Sequence, residues 1–339
     1  MAVSGAMLVN GTLTSWSTLL GAGVTADDSL IVENAGEAQT EAGIDIGDAA
    51  GYSGDVQVTG DLSQLINTGE FIVGDAAEGS LEIEAGGTGS TAPSSGTIGA
   101  IIANTSSASG SSVNVTGAGS NWQVNGALVV GGAGFGQLDI AQSGAVTAAS
   151  LDVGQSASGS GQINVVGTGA SLSIAGALTL GDAGTGGLSI TDGAVVTIGS
   201  LLFGNAGLGA GCVVIGAGST LAITSTVVGI GSGSGVIDVE GGTLSFASNT
   251  NVDPSMHIVA DGGLIDPAST LSVSGDQFNG GTTLEASVQV TDTSVATVSQ
   301  GVVTALSPLI TSGDTVNLSG VWSLTNAGTL VLNDNTVDI

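Results

Sequence analysis

Residues 113–154 read VNVTGAGSNWQVNGALVVGGAGFGQLDIAQSGAVTAASLDVG, and residues 163–204 read INVVGTGASLSIAGALTLGDAGTGGLSITDGAVVTIGSLLFG. The two lines superpose without a gap at an offset of 50 residues, so Leu128 falls on Leu178, Leu138 on Leu188 and Val153 on Phe203. A fixed internal period of this kind signals a repeat architecture. Inside each copy the apolar residues come as triplets with a polar centre, such as Leu138-Asp139-Ile140, Leu151-Asp152-Val153 and Ile163-Asn164-Val165. That period of two belongs to a strand with one buried side. The intervening Gly, Asp, Asn, Ser and Ala supply positive φ and local hydrogen bonds for turns.

Working outward, a triplet that ends just before Gly recurs from Ile44-Asp45-Ile46-Gly47 and Phe71-Ile72-Val73-Gly74 to Val228-Gly229-Ile230-Gly231. Val130, Val153, Leu180, Phe203 and Ile230 follow one another at 23, 27, 23 and 27 residues, and the steps through Ile102 are 29 and 28. The 50-residue unit is therefore predicted to be two rungs of unequal length. Three short strands per rung of about 23–29 residues, each stacked on its counterpart in the next rung, describe an all-β fold. The expected form is a right-handed parallel β-helix of about nine rungs, a solenoid with terminal caps. One rung buries about six aliphatic side chains, each contributing roughly 1.5–3 kcal/mol. That does not offset the ordering entropy of its backbone, so only a stack is stable. Residues 1–29 are assigned as an N-terminal cap with Trp16 over the open core, and residues 30–250 as the β-helix. In residues 251–339 the rhythm loosens and Pro254, Pro267 and Pro308 appear. These residues are assigned as irregular terminal rungs and a C-terminal β cap serving assembly or export, since Pro is foreign to an inner ladder.

The 339 residues include no Lys or Arg, 29 acidic residues and one His, a formal charge of −29. Such a chain cannot neutralise phosphates, which excludes nucleic acid and anionic lipid surfaces as partners. Copies repel one another unless cations screen the carboxylates or acid protonates them. Hydrophobic content of 42% and the strict alternation of Leu, Ile and Val exclude a disordered Gly/Ser segment despite 60 glycines. Cys212 has no partner for a disulfide and, beside Val213, reads as a small core or near-core residue. The first 23 residues have no basic region and no sustained apolar run, so export by a route without a cleaved Sec signal is expected. No apolar run is long enough for a membrane-spanning helix, so no membrane insertion is expected.

The phrase VTGAGSNWQVNGALVVGGAGFGQLDIAQSGAV, residues 115–146, resembles the strand repeat of autotransporter passengers and related secreted bacterial β-helix proteins. The resemblance rests on Gly119, Ser120, Trp122, Gly126, Leu128, Val130, Gly131, Gly136, Leu138, Ile140, Gly144 and Ala145, and extends over about residues 44–246. The second copy departs from it by placing Leu172 where Trp122 stands. It implies a parallel β-helix on a bacterial surface or outside the cell. Its activity is left open, because such passengers include adhesins, enzymes and inert stalks. The aromatic-girdled strands of a membrane barrel are missing from the last ninety residues. The acidic tail, residues 333–339, resembles that of a substrate of one-step (type I) export.

Catalytic parts are scarce. His257 stands alone near Pro254 and Met256, and the basic residues that uronate lyases employ are absent. Asp139, Asp152 and Asp238 occupy outward strand positions, yet three Trp, one Tyr and five Phe make few sugar platforms. The chain is read as a non-enzyme. The residue after the strand-ending Gly is Asp48, Asp75 and Asp182 in three rungs, with Gln155 and Asn205 in two others. Ca²⁺ is the cofactor such a carboxylate column would hold; turn-forming Asp is the plainer account of the same residues. The reading that follows is a secreted rod whose partners are copies of itself, joined end to end or laterally in fibres, a surface layer or a biofilm matrix. An adhesin presenting its tip to a glycan or host surface is the alternative, and a cell-surface polysaccharide is a further candidate partner.

Overall fold

A computed structural model of the chain describes the side chains of residues 29–40, 43–93, 98–225 and 228–246 with few others, and beyond these only the backbone of separate strands. The architecture is an all-β parallel solenoid of about nine turns. Two large sheets run its length, and every strand pairing within them is parallel. The first sheet receives one strand from each turn; nine of these, from Ser29–Glu33 to Ser234–Glu240, have described side chains. The second sheet receives the other two strands of each turn. In the middle of the stack these two fuse into single bent strands, Asn121–Val130, Ala145–Val153, Ser171–Leu180 and Val195–Phe203. The bend is where the register slips, between Val124 and Ala127 and again between Ala148 and Leu151.

The rung length is not the one expected from the strand-ending glycines. On the first sheet Val113 pairs with Leu138, Leu138 with Ile163, Ile163 with Leu188 and Leu188 with Val213, an even step of 25 residues. The steps of 23 and 27 appear only at the end of the bent strand, where Val130 pairs with Val153, Val153 with Leu180 and Leu180 with Phe203. Rungs are thus equal between Val113 and Val213, and the inequality lies in how each divides its residues between bend and turns. The rung of Asn121–Val130 has one residue more than the rung of Ala145–Val153 before the bent strand, one more within it and two fewer in the closing turn.

The core is a continuous apolar cluster. In the rung that begins at Leu138, the inward residues Leu138, Ile140, Val146, Ala148, Leu151 and Val153 are all buried. Each stacks on an aliphatic residue of the rung before or after it. At the corner after the bent strand, Gly47, Gly74, Gly131, Gly154, Gly181 and Gly204 all have positive φ. At Gly131 space also forbids a side chain, since a Cβ there would lie 2.1 Å from the Ser160 carbonyl oxygen. The opposite corner explains the Gly-Ser of the repeat. Ser120 Oγ, fully buried, accepts the N–H of Gly86 in the preceding rung at 3.0 Å, as Ser63 does for Ala35 and Ser219 for Gly193. Gly86, Ala35 and Gly193 all have positive φ, so the serine satisfies an amide that the turn has pulled out of the ladder.

One rung carries small residues at two of its inward positions, although Leu81, Ile83 and Ile102 of the same rung are buried. Its inward positions include Gly89, paired with Trp122 above, and Ala100, paired with Phe71 below. The two rings reach into that space and meet edge to face, centroids 6.3 Å apart at 76°. A Cβ at Gly89 would lie 2.8 Å from Ile83 Cδ1 and 3.1 Å from Trp122 Cδ1, so glycine is what admits the indole. Trp122 is completely buried and its Nε1 has no hydrogen-bond partner. An orphaned donor costs about 1–3 kcal/mol, and burial of the large ring offsets it.

Two expectations fare differently. Cys212 is not a core residue: it lies on the outward side of Ala210–Gly216, exposed and unpaired, because its inward neighbours are Gly211 and Val213. In the terminal segments, Ser15–Trp16 pairs with Glu37 and Ala38, and Thr315–Ser319 with Thr336–Asp338, again in parallel. The side chain of Trp16, and with it the capping role, lies outside the described residues, as does the side chain of His257. Trp122→Ala is expected to cost about 3–5 kcal/mol in denaturant unfolding, and Trp122→Leu, the residue of the second copy, distinctly less. A cost for Trp122→Ala no larger than that of a surface change would remove the paired rings from the account of stability.

Candidate functional site

The column that follows the strand-ending Gly runs Asp48, Asp75, Asn104, Gly132, Gln155, Asp182, Asn205. Two of the three aspartates expected to hold Ca²⁺ come together, and the third does not. Asp48 and Asp75 meet Asp45, each offering one carboxylate oxygen, and the three oxygens lie within 4.8 Å of one another. Oxygens that share one Ca²⁺ at 2.3–2.6 Å are at most about 5 Å apart, so this group has the span of a single ion. Among the described residues it is the one group of three carboxylate, thiol or imidazole ligands with that span. Asp182 stands several rungs away, against Asp152.

Asp45 was missing from the sequence reading of the column because it belongs to the strand rather than to the turn. It is the outward centre of Ile44–Ile46, whose flanking isoleucines are buried. The positive φ of Gly47 turns the chain sharply enough to bring Asp48 back beside it. Asp75 arrives from the next rung, because Ile44–Ile46 pairs with Phe71–Val73. The same construction recurs at Asp152, Gln155 and Asp182, with an amide in place of one carboxylate. Parity was the available signal: an acidic residue at an outward triplet centre, three before the turn residue.

The electrostatics follow from like charges at close range. Burial above all, then the charges of Asp75 and Asp48, a hydrogen bond with Asp48 and the charge of Glu70 push the Asp45 carboxyl up to about 7. Asp152 is pushed up to about 6 by burial and by Asp182, with a hydrogen bond from Gln155 acting the other way. Oδ1 of Asp45, of Asp152 and of Asp182 is buried with no hydrogen-bond partner. Asp75 is better placed: its Oδ1 accepts Asn104 Nδ2 at 2.6 Å.

Of the other acidic candidates, Asp139 is held by amides. Asp139 accepts Gln137 Nε2 at 2.6 Å on one oxygen and Asn164 Nδ2 at 2.7 Å on the other, which leaves it occupied rather than poised for catalysis. Asp238 pairs in register with Val214, two residues along from Cys212. Burial and then Asp238 raise the Cys212 thiol above its ordinary value, the opposite of what a nucleophilic thiolate needs. No helix among the described residues is long and apolar enough to cross a membrane.

Compared with family models, with curated proteins and with solved structures, the chain matches none. The likeness to autotransporter repeats therefore rests on the repeat letters and on the solenoid they build.

The raised carboxyls set the sign of the pH dependence. With folded values of about 7 for Asp45 and about 6 for Asp152, both above the ordinary carboxylate range, the folded chain binds more protons than the unfolded one. Their contribution to stability is thus greatest below about pH 4 and is lost as pH rises toward 7. Thermal melting followed by circular dichroism should give a midpoint that falls over this range, and Asp45→Asn and Asp152→Asn should each flatten the fall. In calorimetric titration at neutral pH, Ca²⁺ should release a proton as it engages Asp45 and should raise the midpoint. Asp45→Asn should abolish the proton release, and wild type that takes up no Ca²⁺ would leave the three aspartates as turn residues alone.

Proposed function

We propose that this chain is a structural protein of a bacterial surface or extracellular matrix, a secreted β-helix rod whose copies pack side by side into fibres or a layer. The observation that carries this reading is the distribution of charge on a uniformly anionic molecule. From Thr88 and Ser90 through Gln123, Thr147, Ser173 and Thr197 to Ala222, Thr243 and Ser245, the outward positions of the middle strand carry no ionisable group, and the same column is bounded by Glu37 before this stretch and by Asp266, in register with Ser245, after it. Acidic residues lie instead on the first sheet and along the aspartate column, including Glu33, Asp55, Glu82, Glu84, Asp139 and Asp238. Two such molecules repel on every side that carries carboxylates, and least where a flat face carries none. Small hydroxyl and amide side chains on that face exchange hydrogen bonds with a second copy at little cost in side-chain entropy. Lateral packing along it is the association the charge pattern permits.

A second reading, an adhesin, is supported by a shallow groove on the first sheet. Half-exposed Phe135, Ser160, Gln162, Thr185 and exposed Cys212 line it without a carboxylate. An aromatic edge beside hydroxyl and amide groups suits a neutral glycan.

Electron microscopy and light scattering of the purified protein across pH and Ca²⁺ test the first reading. Filaments or sheets are expected, favoured by acid or by Ca²⁺. A Thr147→Asp/Thr197→Asp variant, which places a carboxylate in each of two non-adjacent rungs of that face, is expected to remain monomeric while folding normally. Monomers of wild type under every condition would defeat the structural reading; binding on a glycan array, lost on Phe135→Ala, would turn it to the adhesin.

A further inference from the structure

On the uncharged face one residue differs in chemistry from its counterparts in neighbouring rungs. Asn125 is exposed and is followed by Gly126, at the point where the register slips between Val124 and Ala127. Neither residue has a Cα partner in the rung above or below, since Val124 pairs with Thr91 and Ala148 while Ala127 pairs with Ile98 and Ser150. Gln123, two residues earlier on the same side of the strand, donates its Nε2 hydrogen to Asn125 Oδ1 at 2.9 Å. The corresponding residues after the register position are Ala149, Ala175 and Gly199, so the 50-residue copy carries alanine at the matching place.

We propose that Asn125–Gly126 is a site of spontaneous deamidation that writes a carboxylate onto this face. The Gly126 amide nitrogen, giving up its proton to water or hydroxide, bonds to Cγ of Asn125. The tetrahedral oxyanion forms on Oδ1, where the Gln123 amide already donates, an arrangement that stabilises charge as it develops. The intermediate then takes up a proton and expels the side-chain nitrogen as ammonia, leaving a succinimide. Water opens that ring at either carbonyl to give aspartate or isoaspartate, with no change of oxidation state. Glycine leaves the attacking nitrogen unshielded by a side chain, and the bulge frees both residues from paired register. Isoaspartate adds a backbone atom, and a bulge is the part of a strand that accommodates extra length. The product is the sole charge among the outward middle-strand positions from Thr88 to Ser245. That it would weaken lateral packing rests on the assembly reading; the modification itself does not.

The test is mass spectrometry of native protein aged at mildly alkaline pH beside the same chain held in urea. Without Lys or Arg the chain gives no tryptic peptides, so chymotryptic peptides are used. They separate Asn125 from the other Asn-Gly pairs at Asn10 and Asn279, and isoaspartyl methyltransferase labelling identifies the product. Asn125 is expected to lose its amide in the folded protein no more slowly than in urea. Gln123→Ala is expected to slow the folded reaction about fivefold, about 1 kcal/mol, and to leave the rate in urea unchanged. Asn125→Ala, the residue of the second copy, removes the signal and fixes its assignment. A folded protein that keeps the amide long after the unfolded chain has lost it overturns the proposal. Equal rates for wild type and Gln123→Ala in the folded state overturn the role of the Gln123 donor.

Discussion

Everything in this molecule depends on the parallel backbone ladder. The chain has no cation to pair with its carboxylates apart from one histidine and its amino terminus, and its single cysteine is unpaired. Among the described residues, ion pairs and disulfides, the usual reinforcements of a small-residue protein, are thus missing, and burial with backbone hydrogen bonding supplies what they would. The ladder satisfies each rung's peptide groups on both neighbours, and where a turn diverts an amide, a buried serine hydroxyl from the next rung replaces the lost acceptor. A solenoid built this way has stability that grows with the number of stacked rungs and little that depends on any one of them.

Amides take over the work that lysine and arginine do elsewhere. Gln57 donates to Glu84 at 3.0 Å and also reaches Glu82; Asn164 and Gln137 share Asp139; Asn104 holds Asp75. An amide supplies a donor without a counter-charge, so it satisfies a carboxylate's lone pairs while leaving the net charge untouched. Where such a donor is lacking, as at Asp45 Oδ1 and Asp152 Oδ1, burial and neighbouring carboxylates raise the carboxyl, and a proton or a cation relieves the crowded charge. The aspartate column is therefore a place where protons and metal ions compete for the same groups.

The strands were legible in the sequence because their signal is local: period-two alternation fixes which side of a strand is buried, and the recurring glycine fixes the corner. Leu138, Ile140, Leu151 and Val153 could be placed in the core from parity alone. The equal 25-residue rung was not legible from the strand-ending glycines, because these mark a corner that slides along the rung while the first sheet stays in step. Asp45 was hidden for a related reason, since its partners come from the far side of a turn and from the next rung. Cys212 stands beside the apolar Val213, but in a strand the neighbour of a buried residue faces out. The Gly89 gap that Trp122 fills required knowing which residues stack, a fact of register and not of composition.

The even step on one sheet and the uneven one on the other have a consequence for how such a chain can grow. A rung with the longer arc is followed by one with the shorter arc, and each bend in the middle of the stack is fitted to a neighbour of the other kind. Inserting or removing a single rung would set two like bends against each other, a pairing without a register slip that none of these bends makes now. Inserting or removing two would restore every contact at the join. The heritable quantum of length in this solenoid is therefore the pair, which is why the repeated text measures 50 residues and not 25.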